Sequence, residues 1–240
     1  LGRGESLGIT CALIPTRTHG IDVSCRHDPL NVPFWNCPIK GTDVIIPIDY
    51  VIGGEQGIGE GWQMLMECLS AGRGISLPAL STGGTKQVLR GVSAFSAVRE
   101  QFGMSIGRFE GVEEPLARLS GFSYLMESAR ALTCLAIDSK EKPSVISAIM
   151  KYHFTELFRR NVNDGMDVMG GAGITLGPRN ILASAYMSAP IGITVEGANI
   201  LTRTLMIFGQ GAIRCHPFVL DEIAGLESKD LKLFDKAFFG

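Results

Sequence analysis

One change of pattern governs what this 240-residue chain can become: near Trp62 the hydrophobic spacing passes from about two residues to between three and four. Before that point the apolar runs are short. Ile9–Ile14, Ile21–Cys25, Asp43–Ile46 and Tyr50–Ile52 are punctuated by Pro15, Gly20 and the Asn31–Pro38 loop, and read as strands. Gly53–Gly61 holds five glycines and reads as a linker or tight loop. Its Gly57-x-Gly59-x-Gly61 lacks the spacing and the βα setting of a dinucleotide fingerprint. From there Trp62, Leu65, Met66 and Leu69 share a helical face, and the pattern runs on through Leu80 and Val88 to Phe102. Gly103–Gly111 reads as a turn region. Glu113–Ala136, Pro143–Met169, Asn199–Phe208 and Phe218–Leu226 are further helices, with Pro143 suited to a first turn and Ser139 or Asp138 able to cap upstream of it. Strands followed by helices make an α+β order, with a β part over 1–60 and a helical bundle over 61–240. We find no repeat.

Composition narrows the class. Hydrophobic residues make up 45% and charged residues 19% of the chain, which also has 30 glycines; an ordinary soluble domain carries about 25% charged residues. Disorder is excluded, because it needs a polar, highly charged chain. So much apolar surface suggests an oligomer or a larger parent protein. A net charge of −2 supplies no basic field for a phosphate backbone and argues against nucleic acid as a partner. Cys11, Cys25, Cys37, Cys68, Cys134 and Cys215 form no CxxC pair and read as buried small hydrophobes in a reducing compartment. The four histidines, His216 included, have no metal-ligand spacing. No signal peptide opens the sequence, and the charge-free run Asn180–Val195 is too short to span a membrane and is broken by Pro190 and Gly192. These features suggest a soluble, cytoplasmic protein.

The most informative stretch is a charge desert. Of the 53 residues between Asp167 and Asp221, Glu196 is the only acid. It is either a helix N-terminal residue satisfied by backbone amides or a reactive group in an apolar pocket. Ala189-Pro190-Ile191-Gly192 before it and Gly197 after it suggest a loop entering a helix. Desolvation raises a carboxyl pKa towards the ~6–7 useful to a general base.

At this point the residues become familiar. Ile193-Thr194-Val195-Glu196-Gly197-Ala198-Asn199-Ile200-Leu201-Thr202-Arg203 resembles the base-bearing segment of the flavin-dependent acyl-CoA dehydrogenases. In the same order, Arg99-Glu100-Gln101-Phe102-Gly103 resembles the family's Arg-x-x-Phe-Gly element. Asp167-Val168-Met169-Gly170-Gly171-Ala172-Gly173 resembles its Gln-x-x-Gly-Gly-x-Gly turn, and Glu67–Arg73 its substrate-side helix. The wording around Glu196 and over 209–217 is most similar to the long bacterial enzymes of fatty-acid β-oxidation. The resemblance covers essentially the whole chain.

The resemblance implies the tail of a β-barrel-like middle domain followed by the family's C-terminal helical bundle, with an N-terminal helical domain not matched. It implies Glu196 as the base that takes the α-proton of a fatty acyl-CoA thioester while a β-hydride passes to FAD. Backbone N–H groups stabilise the developing enolate oxygen in such a site, and Gly197 lets the thioester approach the backbone. Arg73 would line the acyl-CoA channel, or else make a helix-face ion pair. Arg99, Gln101 and Phe102 would reach the FAD of a neighbouring subunit, the guanidinium pairing with pyrophosphate; otherwise Arg99 is a solvated helix end and Phe102 is core. Asp167, Gly170 and Gly171 would approach the FAD adenosine side, and a plain helix stop after Met169 is compatible with that. Ala198 and Asn199 complete the cofactor set. The chain departs from the family at Asp167 and near Glu110, where glutamine is usual, and at Ala198, which stands for a frequent threonine. An electron-transfer flavoprotein as acceptor and a homodimer or homotetramer follow from the same likeness. The alternatives are an acyl-CoA oxidase, another flavin-dependent relative of the fold, or a non-catalytic helical assembly module in which Glu196 is only a cap.

Overall fold

The computed structural model describes residues 6–33, 36–141 and 144–239. By internal contacts the chain divides into two units, Leu1–Gly72 and Arg73–Gly240, with the division falling inside the first long helix.

The first unit is mostly extended chain with little ladder. Among the described residues its sheet pairs β1 (Ile21–Val23) with β2 (Ile39–Gly41) antiparallel, Asp22 opposite Lys40. The Ile9–Ile14 run is extended and touches Tyr50–Ile52 through a single bridge, Ala12 to Val51, with Leu13 N donating to Tyr50 O at 2.8 Å and Ile52 N to Cys11 O at 2.9 Å. The strand expected over Asp43–Ile46 does not form. Asp43 sits at φ 48°, which no ladder accommodates, and Pro47 just beyond has no N–H to donate.

The second unit is a helical bundle. α1 (Gly61–Val98) begins in the first unit and runs into it; a short hairpin, β3 (Glu100–Gln101) and β4 (Met104–Ser105), turns the chain through Phe102 and Gly103, both at positive φ. α2 (Glu110–Asp138) starts with Glu110 and Glu113 against its positive end. α3 (Ser144–Met169) is followed by Gly170 at φ 54° and ψ −128°, a conformation that glycine reaches freely and that ends the helix. Pro143 lies outside the described residues. Asp138 ends α2 and Ser139 is its C-cap, so neither caps α3 as the sequence suggested. After the single turn α4 (Gly171–Ile174) comes α5 (Ala183–Thr194), with Pro190 and Gly192 inside it. α6 (Asn199–Leu201) passes into a π-helix over Thr202–Ala212 and ends as α7 (Ile213–Cys215). α8 (Val219–Glu227) and α9 (Leu231–Phe239) pack on each other. No strand forms among the described residues between Gly111 and Phe208.

α3 is the central element, packed by α2, α5 and the π-helix. Its C-terminal half presents Phe158, Val162 and Met169 to Val88 and Val92 of α1, Leu119 of α2 and the α5 segment at Leu182 and Ala189. A second cluster joins Met126 of α2 to Met150 and Phe154 of α3. Gly165 permits this closeness: a Cβ there would lie 2.9 Å from Val88 Cγ1 and 3.1 Å from Val92 Cγ2. The cysteines do not share the core. Cys25, Cys68 and Cys215 are exposed and the other three half-buried, all as free thiols, which corrects the reading of them as buried hydrophobes. Among the described residues no single helix is long and apolar enough to cross a membrane.

Candidate active site

α5 ends at Thr194, and Val195 leaves it extended, its N–H still donating to Ile191 O at 2.9 Å. Two left-handed residues follow, Glu196 at φ 54° and Gly197 at φ 88°. Glycine meets that demand freely, whereas for glutamate a sparsely populated backbone region costs of order 1–3 kcal/mol unless its surroundings hold it. Ala198 then enters α6 as its N-cap residue with no side-chain cap, so the helix-cap alternative for Glu196 is not what the chain adopts.

What holds the turn is Lys151, on α3. Its side chain is fully buried, and its ammonium donates to Gly197 O at 2.7 Å, Asn199 Oδ1 at 2.7 Å and Ile193 O at 3.3 Å. Those three acceptors use its three N–H bonds. Gly197 O also accepts from Thr202 Oγ1 at 3.1 Å. Asn199 Nδ2 donates to Thr155 Oγ1 at 3.0 Å and to Glu156 Oε1 at 2.9 Å. Lys151, Thr155 and Glu156 thus form one polar face of α3 that grips both ends of the turn.

Charge is arranged around the same point. Burial pulls the Lys151 ammonium down to about 8, opposed by the attraction of Glu196, reinforced by repulsion from Arg73 and opposed again by Glu156. Arg73, a third of the way along α1, is also buried, so it does not occupy a solvated helix face; its pKa is lowered by burial, with Glu196 acting the other way. The carboxylate is therefore the shared counter-charge of two buried cations. Its own setting differs from expectation: Glu196 is exposed, not enclosed in an apolar pocket. The desert is dry because its neighbours pack into α3, while the left-handed turn throws the Glu196 side chain outward.

The structure brings Arg73, Glu196, Gly197, Ala198 and Asn199 into one region. Asn199 is buried, and its side-chain amide is bonded to Lys151, Thr155 and Glu156. The remaining site residues stand elsewhere. Arg99, Gln101 and Phe102 lie on the β3–β4 hairpin at the far end of α1, roughly 39 Å from Arg73 at 1.5 Å per residue. Phe102 is 91% exposed and not core. Asp167, Gly170 and Gly171 are exposed at the C-terminal end of α3. Sequence reasoning missed Lys151 altogether. The only signal was the i, i+4, i+8 series Ser147, Lys151, Thr155 running beside an apolar stripe.

The sequence model of the acyl-CoA dehydrogenase C-terminal domain matches residues 59–207. The chain belongs to the acyl-CoA dehydrogenase family. Over 94 residues it is 55% identical to Protein HemX of Proteus mirabilis, covering 39% of this chain and 55% of that protein. Over 172 residues it is 26% identical to the probable acyl-CoA dehydrogenase FadE10 of Mycobacterium tuberculosis, covering 71% of this chain and 26% of that one. The fold is similar to that of butyryl-CoA dehydrogenase from Megasphaera elsdenii, with a TM-score of 0.73 and 22% identity over 85% of this chain and 52% of that one. The chain thus spans between about a quarter and just over half of the length of these proteins.

Proposed function

We propose that this chain is the base-bearing part of an FAD-dependent acyl-CoA dehydrogenase that converts a fatty acyl-CoA thioester to its trans-2-enoyl product in fatty-acid β-oxidation. The observation that carries the reading is Glu196: an exposed carboxylate fixed on a left-handed turn above two buried cations, in a chain of this family. A carboxylate so placed can accept the α-proton of a thioester.

The donor set suits FAD. Arg99 offers a guanidinium for pyrophosphate, Gln101 an amide and Phe102 an exposed ring. At Gly170 and Gly171 no atom from elsewhere in the chain lies within 4 Å of where a Cβ would stand, so the backbone there is open to close approach; Asp167 is exposed near them, and Ala198 is exposed separately, beside Glu196. FAD, when bound, supplies the acceptor for the β-hydride. The distance along α1 between Arg73 and Arg99 supports their serving different sites, and hence a homodimer or homotetramer in which Arg99 and Phe102 act on a neighbour's FAD. Exposed Val98, Tyr124, Leu132 and Leu135 offer apolar surface for such an assembly. An electron-transfer flavoprotein is the acceptor we assign, and the six free thiols suit a reducing cytoplasm.

The test is the visible spectrum of the full gene product. Flavin absorbance that bleaches anaerobically on adding a fatty acyl-CoA, with no peroxide in air, is the expected result. Peroxide would identify an oxidase instead, and no flavin at all would favour the assembly module.

A further inference from the structure

A lysine with no solvent contact, reaching across to a surface turn, asks for an explanation. Burying an ammonium is expensive unless its donors are all satisfied. The side chain ends where the chain turns from α5 to α6, and its partners bracket the candidate base: Ile193 three residues before Glu196, Gly197 one after, Asn199 three after. No partner is Glu196 itself. The bonds act on the backbone that carries the carboxylate and leave the carboxylate free.

We propose that Lys151 is the positioning residue of Glu196, holding the Glu196–Gly197 peptide in its left-handed geometry so that the carboxylate has one fixed aim. The inference rests on the reading of Glu196 as the base. The geometry supports it in three ways. The two consecutive positive-φ residues need an external hold, since neither α5 nor α6 supplies a cap to them. The ammonium takes the Gly197 carbonyl at 2.7 Å, as short as its bond to Asn199 Oδ1, and that carbonyl belongs to the residue that completes the turn. The α3 end of the hold is tied to the turn a second time, because Thr155 Oγ1 donates to the backbone O of Lys151 at 2.8 Å and accepts from Asn199 Nδ2 at 3.0 Å, closing a loop from α3 to the turn and back.

The experiment uses the full gene product, flavin-loaded and flavin-free, with Lys151→Met, which keeps the stem and removes the donors. Backbone hydrogen exchange over 195–202 should accelerate about tenfold or more, with the α1–α3 core amides unchanged, as for a locally loosened segment. Flavin reduction by acyl-CoA should slow at least about tenfold while KM stays within about threefold, because a displaced base loses orientation and not binding. A role in stability alone would instead move exchange everywhere and leave turnover per folded molecule intact. If Lys151→Met does not fold, Asn199→Ala removes one acceptor while keeping the cation, and should loosen the same segment by about threefold. Exchange over 195–202 within twofold of wild type in the folded variant would overturn the proposal. Failure of the underlying reading shows separately: a Glu196→Gln protein reducing flavin at the wild-type rate removes the base, and with it the catalytic half of this inference.

Discussion

Two faces of α3 are buried in opposite ways. Around Phe158, Val162 and Met169 the helix meets α1, α2 and α5 through carbon, and Gly165 brings the backbones close. Around Lys151 and Thr155 the same helix is no less buried, yet it meets the α5–α6 turn through hydrogen bonds and charge. Apolar burial is non-directional and tolerates many arrangements of similar volume. A three-donor ammonium with three acceptors tolerates one. The first kind of contact makes the bundle stand, and the second fixes where a particular backbone goes. The family's candidate chemistry lies at the second.

If that division is right, substitutions on its two sides should separate turnover from stability. The largest effect is expected at Glu196. Replacing it with Gln keeps the shape and removes the proton acceptor, so flavin reduction by acyl-CoA in the full gene product should fall about 10²–10⁴-fold. Its melting temperature should fall only slightly, because the side chain is exposed and solvent screens its attraction to the two buried cations. A fall of only a few fold with a much lowered melting temperature would break the comparison on its functional side.

On the apolar side, Phe158→Ala should cost about 3–5 kcal/mol in urea unfolding, since it deletes a large side chain from the main core. Turnover per folded molecule should survive. A loss of turnover without a loss of stability would show the two sides to be coupled.

The Lys151 ammonium sharpens the contrast through pH. Burial holds its folded-state pKa at about 8, below the 10.5 of an unburied lysine. Between those values the native state binds fewer protons than the unfolded one, so stability rises with pH across that window and is flat below it. The stability of wild type relative to Lys151→Met should therefore increase from pH 7 to pH 10.5 by on the order of 3 kcal/mol. Urea midpoints at the two pH values measure this, and a decrease over that range would contradict the burial of the charge.

The smallest effect belongs to the surface. Glu127 is held down to about 2 by hydrogen bonds from Arg130 and Lys86. Its stabilisation is present above the ordinary carboxylate range and lost as pH falls towards 2. With 36% of the side chain exposed, solvent screens the pairs, and Glu127→Gln at pH 7 should cost less than about 1 kcal/mol by urea unfolding.

Much of this was legible in the residues themselves. The switch of period near Trp62 places α1, and the Glu113–Ala136 and Pro143–Met169 patterns place α2 and α3 to within a few residues at their ends. Glu196 stands out because composition isolates it, and Gly197 because a glycine follows an acid at the turn. The sequence misleads where a local rule meets a packed environment. Pro190 and Gly192 read as breakers, yet α5 continues through both because it packs on α3. α9 went unread because Leu231–Phe239 is too short for periodicity to declare itself.

What the sequence determined by itself is the class of the chain, its helical bundle and the residue types at the candidate site, since periodicity, glycine placement and a lone acid are local properties. What only tertiary structure decided is which groups meet. Lys151 lies 45 positions before Glu196 in the chain, and the Ser147, Lys151, Thr155 spacing around it fits a surface lysine on a helix equally well. Its burial, its three acceptors and the outward aim of Glu196 arise when α3 packs against α5 and the π-helix. A hydrogen bond between distant segments depends on the position of both, and a pattern along one of them carries no record of the other.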